Sequence, residues 1–306
     1  MKLGMLWKYR PSLITLGVVI WVLYIVLYLL APVQTDKYHL SYAALFGIKL
    51  TIALPVLAIW TTALFGVRRF YRYAWLIRES PDGRALLGIA TGLLVMVAGL
   101  ISQTMLSAIL PYFAGSTWVK LAVFMQNHVP IVFSFVGFLI ILVGARRLAR
   151  SANLRLPVEH AFAILLPYLI LGAVFCWAFY DQFEVVVTDG VPNFSTSASM
   201  ALWTIAFPSV ITWLAGVLAV AHIYEYANHV SGKIYRKALR NLVRGIALSV
   251  ALSVLLQLLS LGSNFFVHLG LGAILLVIYL LLVFYAAGFV FIARGAQALM
   301  QIEEAI

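Results

Sequence analysis

Apolar residues run along this chain in long blocks broken by short polar stretches, without the strict alternation of a half-buried strand. A helix rising 1.5 Å per residue needs about 20 apolar residues to cross a hydrocarbon core of about 30 Å. Eight blocks meet or approach that length, near residues 12–31, 43–66, 86–112, 129–145, 160–180, 200–222, 245–263 and 270–293. Each is predicted to be a membrane-spanning helix, and the stretches between them are too short for a soluble domain. The first block follows Lys2, Lys8 and Arg10, as in a signal peptide, but it is longer than a typical h-region and no small-x-small site follows it. It is therefore expected to be a retained anchor.

The polar breaks give an orientation. With both ends of the chain on one side, 18 of the 21 Lys and Arg residues fall in segments on that same side, in Lys2 to Arg10, Arg68 to Arg84, Arg146 to Arg155, Lys233 to Arg244 and Arg294. Lys37 and Lys120 fall opposite, and Lys49 falls within a span. This pattern obeys the positive-inside rule and predicts cytoplasmic N and C termini. It also accounts for the net charge of +11 without a nucleic-acid partner.

Comparing the chain with itself reveals an internal repeat. Thr51 to Ala74 aligns without a gap on Thr204 to Ala227, with nine of 24 positions identical, among them Pro55/Pro208, Trp60/Trp213, Tyr71/Tyr224 and Tyr73/Tyr226. Val132 to Arg150 aligns likewise on Val283 to Gln301, and shares Gly137/Gly288 and Gly144/Gly295. Weaker pairings join Gly88-Ile89-Ala90 to Gly245-Ile246-Ala247 and Leu16-Gly17 to Leu171-Gly172. The expected fold is an all-α integral membrane protein: eight transmembrane helices in two tandem parallel four-helix repeats, residues 1–153 and 154–306. An even number of spans per copy makes the repeat parallel, with a pseudo-twofold axis along the membrane normal, unlike the inverted repeats of many transporters.

Composition agrees with lipid as the solvent: 64% of residues are hydrophobic, 10% are charged, and mean hydropathy is +1.04. The lone cysteine, Cys176, lies within the fifth block, so no intrachain disulfide can form. Short loops and a single cysteine suit the plasma membrane of a prokaryote.

Candidate chemistry is sparse. Pro55 and Pro208 each remove a backbone donor and clash with the carbonyl four residues earlier, at Thr51 and Thr204. Paired helix breaks of this kind are pointers to a transport site, although proline kinks also serve packing alone. Lys49 is the one charge placed within the bilayer, where a functional role is the default and snorkelling the plain alternative; Asp181 is a candidate ion-pair partner. Ser249, Ser253, Gln257 and Ser260 share one face of the seventh span, and Gln103 lies on a small-residue stripe of the third. Such stripes also make ordinary helix contacts in lipid. His222, Glu225 and His229 are metal-ligand types at helical spacing, with Glu159 and His160 nearby, but without a signature spacing they read as a solvated cluster. No catalytic motif and no cofactor motif is present. The basic stretches 68–78 and 233–244, carrying Arg68, Arg69, Arg72, Arg236, Lys237, Arg240 and Arg244, resemble interfacial helices in composition. They could meet anionic lipid or a cytoplasmic protein. The outer segment Asp181 to Ser199 reads as a loop with three acids and no base.

Two functions fit. The first is a transporter or channel-like protein with a path at the repeat interface, lined by Lys49, Thr51, Pro55, Gln103, Thr204, Pro208, Ser249, Ser253, Gln257 and Ser260. The second is a non-catalytic membrane subunit, scaffold or sensor that binds a cytoplasmic partner through its basic inner loops. Self-association into a homo-oligomer fits either. A hydrated repeat interface favours the first function, and an interface packed dry favours the second.

Overall fold

The computed structural model of the protein describes residues 10–31, 41–154, 184–188, 191–195, 207–261 and 271–304. The helices are α1 (Arg10–Leu30), α2 (Tyr42–Leu76), α3 (Pro81–Ile109), α4 (Val119–Ser151), α5 (Phe207–His229), α6 (Lys233–Leu261) and α7 (Leu271–Glu304), with a 3₁₀ turn at Leu110–Phe113. By length and composition α2, α3, α4, α5 and α7 can each cross a membrane, which makes the chain a polytopic α-helical membrane protein. The predicted span at 160–180 lies outside the described residues.

Local sequence starts and stops these helices. Ser41 caps α2 by accepting the Ala44 amide at 3.2 Å, and Ser80 caps α3 by accepting the Gly83 amide at 2.9 Å. Pro81 opens α3, where its missing N–H costs nothing, and Asp82 follows in the first turn, where the helix dipole favours an anion. The α2–α3 corner is so tight that a Cβ on Gly83 would lie 1.8 Å from the Ile77 carbonyl oxygen. Only glycine fits there.

Several helices outlast the bilayer. The 35 residues of α2 span about 50 Å at 1.5 Å per residue. Arg68 to Leu76 is therefore the end of α2, and Lys233 to Arg244 is the beginning of α6. Phe70, Tyr73, Ala74, Ala238, Leu239 and Leu242 are buried along these extensions. They are continuations of bundle helices.

Within the segment expected to be a loop, residues 184–188 and 191–195 form strands. Strands β1 (Glu184–Thr188) and β2 (Val191–Ser195) pair antiparallel, with Glu184 opposite Ser195 and Thr188 opposite Val191. The intervening Asp189 and Gly190 are a favoured pair for a two-residue hairpin connection.

Six helices close a ring in which α2 packs on α3 and α7, α4 on α3 and α5, and α6 on α5 and α7. Helix α1 lies outside it, against α2 and α3. One continuous apolar cluster fills the ring with residues from all six helices, including Ala63, Phe70, Phe138, Ala215, Ile223 and Ile292. A second cluster, around Tyr24 and Trp60, seats α1.

The closest backbone approaches are built on glycine. A Cβ on Gly92 of α3 would lie 2.5 Å from Gly137 O and 2.9 Å from Ile141 N of α4. One on Gly245 of α6 would lie 2.7 Å from Gly288 O and 3.1 Å from Ile292 N of α7. Gly144 meets Ala85 O and Ile89 N, and Gly295 meets Ala238 O and Leu242 N. Small residues let helices come this close where lipid supplies no hydrophobic drive between them. Gly88, paired with Gly245 by sequence, faces Gly144, whereas Gly245 faces Gly288 and Ile292. The residue whose neighbours match those of Gly245 is Gly92, one helical turn further on, at the same offset of 153 that relates Thr51 to Thr204.

Candidate functional site

Among the described residues, the expected path residues occupy separate places. Lys49 is buried, and its Nζ donates to Ala31 O at 2.6 Å and Leu29 O at 3.3 Å. Those carbonyls end α1, where no next turn exists to satisfy them, so a cation there meets both the orphan acceptors and the negative end of the helix dipole. The proposed partner Asp181 lies outside the described residues. Thr51 is exposed, its hydroxyl donating to Ile48 O at 2.8 Å. Helix α2 runs unbroken through Pro55, and Pro208 lies in α5, which is described from Phe207 onward. Ser249 is buried at the α6–α7 contact and donates to Gly245 O at 3.0 Å, a bond made within its own helix. Thr204 and the side chains of Ser253, Gln257 and Ser260 lie outside the described residues.

Gln103 is the path residue that reaches open space. It lines a cavity of about 230 Å³ together with Val56, Ile59 and Trp60 of α2, Thr104 and Ser107 of α3, and Leu282 and Tyr285 of α7. The cavity begins next to the turn that holds Pro55. Among the described residues no charged side chain lines it. Thr104 bonds back to Leu100 O and Ile101 O at 3.0 Å each, and the Ser107 hydroxyl donates to Gln103 O while accepting from Gln126. The Trp60 indole N–H is buried and has no hydrogen-bond partner.

At the end where the basic residues gather, the structure assembles a polar network that the sequence reading did not assign as a site. Asp82, in the first turn of α3, accepts from the Ser151 hydroxyl of α4 at 2.5 Å and from the Tyr226 hydroxyl of α5 at 2.6 Å. Tyr226 in turn meets the Tyr235 ring of α6 edge-on, with 6.4 Å between centroids. Burial and the neighbouring Tyr226, Tyr73 and Asp82 push the Tyr235 phenol above its ordinary range. Hydrogen bonds to a carboxylate are roughly twice as strong as neutral ones, so Asp82 ties three helices together at this end. Tyr73 and Tyr226 were visible as a matched pair, but 144 residues separate Tyr226 from Asp82, and no local pattern joins them.

The basic residues around this network are partly committed to structure. Arg236 donates twice to Val230 O, at 2.6 and 3.0 Å, just past the end of α5. Arg240 reaches Asn228 Oδ1 at 3.1 Å, and Arg69 lies over the Phe65 ring at 4.2 Å. Arg68, Arg72, Lys237 and Arg244 are exposed. His222 bonds to Leu218 O at 2.7 Å, while His229 bonds to Glu225 O at 2.9 Å and lies 3.7 Å from its carboxylate. Among the described residues no three His, Cys, Asp or Glu side chains stand close enough to hold one metal ion. Glu159 and His160 lie outside them.

Comparison with known proteins adds no relative: no family model, no curated protein and no solved structure matches the chain.

Proposed function

We propose that the protein is a non-catalytic membrane subunit, an eight-span bundle of two parallel copies that presents a braced basic face to an acidic cytoplasmic partner. The carrying observation is the ring interior. Ala63, Val67, Phe70, Phe138, Ala219 and Ile223 fill it with essentially no exposed surface. A packed seam supports a scaffold, and the dispersal of the path residues supports it further. The tandem repeat is supported by the ring order, in which α2, α3 and α4 have the same neighbours as α5, α6 and α7, and by the matched glycine contacts. Loop charges support a cytoplasmic location for the basic face and both termini, in what we take to be a prokaryotic cell.

The basic face is suited to docking because the Asp82 network and the Arg236 cap hold it firm, so little ordering entropy is lost on binding. Neutralising Arg72, Lys237 and Arg244 together, all exposed, is expected to abolish co-purification of an acidic partner while the thermal midpoint stays within a degree or two. Undiminished co-purification overturns this reading.

The transporter reading rests on one specific observation, the cavity beside Pro55 with Gln103 on its wall. Reconstitution into liposomes separates the two. The scaffold carries no ion or metabolite flux, and flux that falls with changes at Pro55 or Gln103 would establish transport.

A further inference from the structure

We propose that Arg68 and Arg69 of α2 clamp the phosphate of one anionic phospholipid in the leaflet at the basic end of the bundle. Their depth selects a lipid. Leu64 and Phe65 are 40% and 51% exposed, as side chains against hydrocarbon would be. One turn on, Arg68 is exposed too, and Tyr71 and Trp75 then stack with 6.3 Å between centroids. A helix that passes from exposed apolar side chains to arginines and then to Tyr and Trp is leaving the acyl chains for the headgroup layer. Arg68 and Arg69 lie only about 5 Å beyond Phe65 along the axis, at the level of the phosphates.

The second feature is the geometry of the pair. With 3.6 residues per turn, Arg68 and Arg69 stand about 100° apart, on either side of the line through Phe65 and Arg72. A phosphate resting on that line has a guanidinium at each flank. The Arg69 Cζ lies 4.2 Å from the centroid of the Phe65 ring. Stacking holds the flat face of the guanidinium and leaves its N–H edge for a bidentate bond to phosphate. Among the described residues neither arginine has a carboxylate partner, and Glu79, in the corner after α2, lies 3.4 Å from Arg78 instead. Two uncompensated cations at headgroup level are complementary to an anionic lipid.

The internal repeat restricts the clamp to one copy. At the 153 offset, Phe65, Arg68, Arg69 and Arg72 become Leu218, Ala221, His222 and Glu225. The His222 ring is bonded to Leu218 O at 2.7 Å, and the Glu225 carboxylate would repel a phosphate. Orienting the chain requires positive charge near this end, but not two flanking guanidiniums over an aromatic ring.

The test titrates the purified full chain in detergent with dioleoyl phosphatidylglycerol and with dioleoyl phosphatidylcholine, and counts bound lipids by native mass spectrometry. One phosphatidylglycerol should bind about 25-fold more tightly than phosphatidylcholine, a factor of about five for each arginine. Arg68→Gln/Arg69→Gln should bring the two lipids to near-equal affinity. Phe65→Leu, which keeps both charges and removes the ring, should weaken phosphatidylglycerol about threefold. Arg84→Gln/Arg147→Gln, which removes two exposed charges elsewhere at the same end, should leave the ratio unchanged. Arg72, Lys237 and Arg244 stay in place throughout, so docking of an acidic protein is tested separately. Equal affinity of the wild-type chain for the two lipids overturns the proposal, as does a preference that survives in Arg68→Gln/Arg69→Gln or is lost equally in Arg84→Gln/Arg147→Gln. Inorganic phosphate binding as tightly as phosphatidylglycerol would make the pair a free-anion site and overturn it as well.

Discussion

The two helix pairs α3–α4 and α6–α7 solve one packing problem with the same backbone and different side chains. In the first, Gly92 rests on Gly137 and Ile141; in the second, Gly245 rests on Gly288 and Ile292. The polar residues around them do not follow suit. Where Gly137 meets the apolar Met96, Gly288 meets the Ser249 hydroxyl, and the carboxylate that anchors the basic end, Asp82, occupies the position that Tyr235 holds at the 153 offset. Close helix contact is thus shared by the two pairs, while the polar groups around it differ between them.

The strongest way to break the comparison is to load the glycine contacts. Gly92→Leu and Gly245→Leu should each destabilise the bundle by about 3 kcal/mol or more, because overpacking here drives a side chain into backbone carbonyls. Unfolding in mixed micelles should show similar losses for the two, whereas Gly47→Ala, with nothing within 4 Å of the added Cβ, should stay within about 0.5 kcal/mol of wild type. A large loss at one glycine and none at the other would dissolve the likeness.

Next in size comes the asymmetric anchor. Tyr226→Phe removes a hydroxyl from the Asp82 carboxylate and should cost about 2 kcal/mol, the range of a bond to a charged group. Tyr224→Phe, at an exposed neighbouring position, should be silent in the same unfolding assay.

Lys49→Met tests the other addition peculiar to the first half, since its counterpart by sequence is Leu202. Loss of the cation from the end of α1 should cost about 1 kcal/mol, within the span of helix-terminus charge effects. Protease nicking between α1 and α2 should accelerate accordingly.

The smallest expected effect is alkaline. Tyr235 has a raised pKa in the folded protein and an ordinary value of 10.0 otherwise, so the unfolded chain releases that proton first. Its contribution to stability is complete below about pH 10 and declines as pH rises beyond it. Melting midpoints should fall more steeply above that pH in wild type than in Tyr235→Phe.

How much of this was legible beforehand varies from residue to residue. The five spans α2, α3, α4, α5 and α7 and the clustering of Lys and Arg between the apolar blocks follow from hydropathy and loop composition, because lipid imposes them on any sequence. The Thr51/Thr204 block was legible because Pro, Trp and Tyr are rarely matched by chance. The pairing within α3 was weaker, since Gly-Ile-Ala is a common string in apolar helices. Lys49 was visible as a costly charge, but the carbonyls it caps belong to another helix and leave no mark near it in sequence. The Asp82 network was hidden for the same reason. The β1–β2 hairpin had signals in Val185 to Val187 and Asp189-Gly190 that were passed over in favour of the segment's acidity.

The account turns on a ring interior closed to water. With Cys176 replaced by alanine, cysteines placed singly at Ala63 and Ala219, both fully buried in the seam, can be challenged in intact membranes with a small, charged, water-borne thiol reagent added to either side. Both are predicted to stay unmodified under conditions that label an Arg72→Cys control to completion. Modification of either seam cysteine at a rate near that of the control would show a hydrated path between the halves and contradict the scaffold.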